Sequence, residues 1–347
     1  MKIALIITTG RTGSDFLHHC LDGVKELIVF TDKFDYHSFF ENKKQLKNSK
    51  LLLSQFLKKY SYLFGKIDIE NIKTNVSIKT FKKNFLNLSQ NKSINRKEFL
   101  ILLYKAFHLT TGKKLKDVKT IIHHSHGIQN SIKVLEDFPE AKLLITIRHP
   151  LSNLRSGLTN WFKFDKSRIS MWHVFSYLYR IRQDLKYLLK IKNKRLFVKL
   201  EEANQMKLKK KLCNFLSIKY HSNIMRATVL GKPWIGDKLS KKKSKKGKYI
   251  KPPDEKEFKE FFSLKDIQLL SFIYKDYKKF NYNLQIIKNL TFLQNTFYIF
   301  TFEKFVFNYK KKKINFYRNI KYLLFRIVFF ISISLKIDFL FKNKHIS

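Results

Sequence analysis

Over the first two-thirds of the chain, short apolar runs alternate with stretches of helical period. Ile3–Thr8 reads as a strand feeding a helix over Ser14–Asp22, and Glu26–Phe30 reads as a short second strand. Residues 43–110 read as mostly helical, with the clearest periods over Ser49–Phe64 and Arg96–Thr111. Val118–His124 predicts a strand, Gln129–Phe138 a helix and Leu143–Arg148 another strand. Helices follow from Pro150 to about Asn160 and over Met171–Leu189, then the last core strand at Leu196–Leu200. Asn204–Leu216 and Ser263–Phe280 are late helices. Apolar strands separated by helices predict an α/β fold, a parallel sheet flanked by helices on both faces. Ligand loops would sit at the carboxyl ends of its strands. No internal repeat is present.

Two stretches break this pattern. Lys238–Lys251 holds eight lysines around Gly247 and predicts a solvated loop. From about residue 286 the chain mixes Phe, Ile and Tyr with Lys310 to Lys313, Arg318, Lys321 and Arg326. We therefore divide it into a core over residues 1–285 and a basic, apolar, helical C-terminal extension over 286–347. The longest uncharged apolar run of the tail, Ile327–Leu335, is well short of the ~20 residues that a spanning helix needs. Such a tail suits an anionic membrane surface, or packing on the core or on a second subunit.

Charge sharpens the picture. Lys and Arg total 71 against 26 Asp and Glu in 347 residues, a formal charge of +45. That field attracts anions, whether nucleotides, acidic glycans, anionic lipid or nucleic acid. The lysines are spread widely, so a bias of composition accounts for much of the excess. No zinc-finger spacing or RNP-like string supports a nucleic-acid partner. Two cysteines, Cys20 and Cys213, exclude a disulfide framework and suit a reducing compartment. The first apolar run is too short for a signal peptide. The expected location is the cytoplasm, with peripheral attachment at the inner face of the membrane.

Candidate chemistry lies in two segments. Gly10-Arg11-Thr12-Gly13-Ser14-Asp15 follows the first strand and opens a helix. Its glycines permit close approach of backbone N–H groups to an anion, the helix start points its positive end there, and Arg11, Thr12 and Ser14 add side-chain donors. It is not the ATP-type loop, because the second glycine comes early and no Lys-Ser or Lys-Thr follows. An ordinary strand-to-helix turn is the plain alternative. The second segment is a strand ending on Arg148, with Pro150 and then Ser156 eight residues after the arginine.

Together the two segments resemble the nucleotide sites of sulfotransferases, bacterial and carbohydrate-type enzymes among them, that use 3'-phosphoadenosine 5'-phosphosulfate (PAPS). The first resembles their 5'-phosphosulfate loop, G-R-S-G-T-T or P-K-S-G-T-T. The second resembles their 3'-phosphate site, R-x-P with a following serine. Thr228-Val229-Leu230-Gly231-Lys232-Pro233-Trp234-Ile235-Gly236-Asp237 is similar to the T-x-x-G-x-P-W-x-G-[DN] stretch of bacterial members, and Arg195–Glu202 to their late strand. The likeness covers roughly residues 1 to 282, apart from about 40 to 115. It implies a P-loop-NTPase-like sulfotransferase fold. It also implies PAPS as co-substrate, no metal, and a hydroxyl acceptor such as a glycan or glycolipid. The implied nucleotide contacts are Gly10, Arg11, Thr12, Gly13, Ser14, Arg148 and Ser156, with Lys246 and Gly247 in a closing loop. Asp15 departs from the family, which carries a hydroxyl residue there. A carboxylate would repel a 5'-phosphate unless it turns away to cap its own helix.

The resemblance places Arg11 near the bridging oxygen, where its fixed charge suits the leaving phosphate. It offers two bases. Counting back from Arg148 without a gap puts the strand-end histidine of cytosolic members at His126. The carboxylate that other members carry in K-E-x-H-x-F matches Asp35 in Lys33-Phe34-Asp35-Tyr36-His37, with Glu41 and His37 behind it. His123, His124 and His126 invite a metal reading, but on a strand only His124 and His126 share a face. A nucleotide or sugar kinase, or a non-enzymatic basic protein that binds membrane or nucleic acid, are the other classes.

Overall fold

The computed structural model describes residues 1–40, 48–67, 72–164, 171–221, 224, 226–236, 260–284, 298–303 and 316–334. Lys246, Gly247 and Glu41 lie outside them. The chain forms two units, Met1–Arg148 with Ile191–Lys251, and His149–Lys190 with Pro252–Ser347.

The first unit is built on five parallel strands: β1 (Lys2–Thr8), β2 (Leu27–Val29), β5 (Thr120–Ser125), β6 (Lys142–Ile147) and β7 (Arg195–Lys199). Their order is β2-β5-β1-β6-β7. All five therefore end at the same edge, and β1 sits between the strands that carry the histidines and Arg148. Ile6 of β1 faces His124 on one side and Leu144 on the other. The chain leaves β1 toward β2, returns as β5 and crosses to β6, which makes the carboxyl end of β1 the switch point where a crevice opens.

Alternation along the strands explains the layers. Ala4, Ile6, Ile122, Leu144 and Val198 pack against Leu17 and Leu21 around α1 (Ser14–Cys20) and against Leu208, Leu212 and Leu216 of α9 (Met206–Leu216). The other face meets α5 (Arg96–Thr110) at β2 and α6 (Ile128–Asp137) at β1 and β5. Both cysteines are buried free thiols.

Between β2 and β5 the chain forms α2 (Tyr36–Phe40), α3 (Ser49–Tyr60), α4 (Ile78–Ser89) and α5. Asn48, Ser77 and Asn95 cap α3, α4 and α5 through their side chains. This region was expected to be mostly helical. It also holds a short antiparallel pair, β3 (Lys66–Ile67) with β4 (Ile72–Lys73). Too few residues alternate there to stand out against the helical periods on either side. Aromatic rings hold the insert together, with Phe39 stacked on Phe99 at 5.6 Å and Phe30 on Phe107 at 4.3 Å.

The second unit contains α7 (Pro150–Phe164), α8 (Met171–Lys190), α10 (Leu264–Ile273) and α11 (Phe316–Ser334). Ser156 stands on α7. A Cβ on Gly157 would lie 2.1 Å from the Tyr177 ring, so α7 and α8 approach closely there. Asp266 closes the capping box of α10 and also accepts from the Tyr298 hydroxyl at 3.0 Å. Although part of the predicted extension, α11 packs on α8, with Phe329 and Tyr179 rings 5.5 Å apart. Arg326 forms a buried ion pair with Glu303 at 3.1 Å.

Candidate active site

The site grows from the end of β1. Gly10, Arg11 and Gly13 take φ values of 84°, 51° and 83°. The left-handed residues turn the chain sharply between β1 and α1, at the start of the helix where an anion is favoured. Arg11 adopts this region without being glycine, a strain that tertiary contacts must offset. Gly13 caps α1 with no side-chain bond to the helix start. Any Cβ on it would come within 2.2 Å of Leu200 Cδ1.

The contacts of the Thr12 side chain lie within the protein. Its hydroxyl lies 2.8 Å from that of Thr8 and 2.6 Å from that of Thr146, with only 1% of the residue exposed. Gly10 N–H donates to the Thr8 hydroxyl at 2.9 Å. The threonines thus tie the loop to β1 and β6. Ser14 is buried at the first position of α1, while Gly10 and Arg11 are half-buried.

Arg148 follows β6 directly. Its guanidinium is buried and reaches the carbonyl of Arg11 at 3.5 Å, across 137 positions of sequence. The two segments singled out in the sequence therefore meet. Ser156, expected beside Arg148, belongs to the second unit.

On the β5 side stands a cluster the sequence only partly revealed. The Lys33 ammonium pairs with Asp15 at 2.6 Å, and His124 Nδ1 lies 3.7 Å from the same carboxylate oxygen. Burial alone would push the Asp15 carboxyl up. The Lys33 ammonium, paired and hydrogen-bonded to it, outweighs burial and holds the group well below the usual carboxylate range. The His124 ring is 1% exposed, and burial drives its pKa well below the usual imidazole value. Neither of its nitrogens has a hydrogen-bond partner among the described residues. His123 is likewise pushed down to about 3 by burial, with Nδ1 3.0 Å from the Tyr104 hydroxyl.

The two candidate bases are neighbours. His126 is exposed just past β5, its ring 6.0 Å from that of His124. Asn130 donates to the carbonyl of His126 at 3.3 Å and to Asp35 at 3.2 Å. The other Asp35 oxygen accepts from Ser38 N–H at 3.1 Å, at the start of α2. Sequence reading missed Asn130; its spacing of four from His126, on α6, was the available signal. Among the described residues, no group of three or more His, Cys, Asp or Glu could hold a metal ion.

The chain is similar in shape to three solved sulfotransferases. The sulfotransferase domain from the curacin biosynthetic pathway has 15% identity and a TM-score of 0.47, with 82% of this chain and 99% of that domain covered. The corresponding domain of the Synechococcus PCC 7002 olefin synthase has 14% identity and a TM-score of 0.47, covering 82% and 96%. A sulfotransferase from Mycobacterium avium has 10% identity and a TM-score of 0.34, covering 65% and 66%. No family model and no curated protein sequence matches.

The stretch Thr228–Gly236 serves the loop from behind. It forms a hairpin of β8 (Thr228–Val229) and β9 (Lys232–Pro233), turning through Leu230 and Gly231, both at positive φ. Asp22 accepts from Thr228 Oγ1 at 2.8 Å and from Gly231 N–H at 3.1 Å. Trp234 is buried against α1, stacked on His19 at 4.7 Å. These contacts brace the helix whose start forms part of the anion loop.

Proposed function

We propose that this protein is a sulfotransferase of P-loop-like fold that moves a sulfuryl group from PAPS to a hydroxyl of a glycan, glycolipid or similar acceptor. One observation carries the reading: the Gly10–Ser14 loop and Arg148 meet at the switch point of the sheet, with Arg148 against the Arg11 carbonyl. A nucleotide with phosphate at both ends matches such a pairing of a loop at a helix start and a buried guanidinium.

In this reading the loop amides and Arg11 hold the 5'-phosphosulfate, Arg148 reads the 3'-phosphate, and Ser156, Lys246 and Gly247 complete nucleotide binding. The acceptor oxygen bonds to sulfur as the bond from sulfur to the phosphate oxygen breaks. The acceptor proton passes to the base, and 3'-phosphoadenosine 5'-phosphate leaves, its new charge met by Arg11 and the loop. His126 is the favoured base because it is exposed just past the carboxyl end of β5, its ring 6.0 Å from that of His124. Asp35 is the second candidate, though both its oxygens already accept hydrogen bonds. No metal is required.

The test is calorimetry with 3'-phosphoadenosine 5'-phosphate, AMP and ATP. The bisphosphate should bind most tightly, and Arg148→Ala should weaken it by about tenfold or more while barely changing AMP. Preference for ATP would favour a kinase, and equal loss for both adenosine phosphates would remove Arg148 from the 3'-phosphate.

A further inference from the structure

The helix α11 carries two apolar faces. One belongs to the core of its unit: Arg326, Phe329, Phe330 and Ile333 are each at most 4% exposed. The opposite face is open, with Ile320 40%, Leu323 52% and Leu324 58% exposed, and half-buried Ile327 and Ile331 continue the line. Positions 320, 323, 324, 327 and 331 form one stripe down a helix. Scattered exposed leucines are ordinary, but a contiguous apolar stripe marks a contact surface.

The surrounding charge selects the partner. Between Glu303 and Asp338 the sequence has no acidic residue, while Lys304, Lys310 to Lys313, Arg318, Lys321, Arg326 and Lys336 are basic. A second copy of this chain would bring like charge against like. No helix among the described residues is long and apolar enough to cross a bilayer. We propose that the open face of α11 docks on the surface of an anionic phospholipid bilayer. The apolar stripe enters the headgroup boundary while the lysines of this acid-free segment and Arg318 supply charge for lipid phosphates; Arg326 stays paired with Glu303 in the core. The buried face stays in the protein core, so the helix lies in the interface without leaving its unit. This inference is independent of the sulfuryl-transfer reading.

The difficulty in testing it is that a protein of charge +45 adheres to any anionic surface. The informative variant therefore leaves charge alone. The full chain, Leu323→Gln/Leu324→Gln, and Leu51→Gln, an exposed leucine of α3, are sedimented with phosphatidylglycerol–phosphatidylcholine vesicles and with phosphatidylcholine alone, at low and high salt. The full chain should bind the anionic vesicles, less so as salt rises. The double variant should bind about tenfold or more weakly, and Leu51→Gln like the parent. Melting curves check that the variants are folded, and Leu324→Gln alone should move affinity in the same direction. Unchanged affinity in a folded double variant would reduce the attraction to bulk charge and overturn the proposal. So would absence of binding, or self-association in the ultracentrifuge that the substitutions abolish without any vesicle binding.

Discussion

Lys33 holds Asp15 at 2.6 Å in the first turn of α1, so the carboxylate beside the Gly10–Ser14 loop has its charge compensated within the protein. Lys33→Met should leave the carboxylate uncompensated and weaken 3'-phosphoadenosine 5'-phosphate by about tenfold. Lys33→Met/Asp15→Asn should restore much of the loss, a coupling that calorimetry on the four-membered cycle measures. Additive effects would mean that Lys33 acts on the ligand directly.

The same pair makes stability depend on pH. The folded pKa of Asp15 is depressed, so its stabilisation is complete above the unfolded value of about 4 and disappears as pH falls through the folded value. Asp15→Asn should cost about 1–2 kcal/mol in urea at pH 7, and the gap to the parent should narrow below about pH 4.

Gly13→Ala meets both a φ of 83° and the Leu200 side chain. It should destabilise the first unit by about 1–3 kcal/mol and abolish nucleotide binding. Adding Leu200→Ala should relieve the clash yet leave the backbone strain, so binding should return only in part.

The base is assigned by three variants. His126→Ala should abolish turnover with nucleotide affinity intact, as single-turnover assays and calorimetry would show. Asn130→Ala should lower kcat without abolishing it, because it loosens the join between Asp35 and the His126 backbone. Loss of turnover in Asp35→Asn with an active His126→Ala would transfer the role to Asp35.

In the second unit, Glu303→Gln strands the buried Arg326 charge and should cost about 3–5 kcal/mol by thermal or urea unfolding. Removing residues after about Leu290 should expose the face of α8 that α11 covers and render the chain prone to aggregation. A fully soluble truncation with an unchanged transition would show that α11 adds nothing to the core.

The sequence by itself determined the strands and most helices, because burial stamps a period of two or 3.6 residues on a local segment. It also placed the sharp turn after β1, where Gly10 and Gly13 take the left-handed φ that glycine permits, and it singled out Arg148 and the histidines. It could not decide what depends on strand order. Only when β1 lies beside β6 do Arg148 and Arg11 meet, and only then does the Thr12 hydroxyl find Thr146. Asn130 and the Lys33–Asp15 pair were hidden for the same reason, polar contacts between distant segments leaving no periodic trace. The tail shows the limit most clearly. Its composition announced an amphipathic basic helix, but both sides of α11 are apolar. Which side faced the protein was fixed by packing on α8 and by the buried partner of Arg326, not by any pattern within the helix.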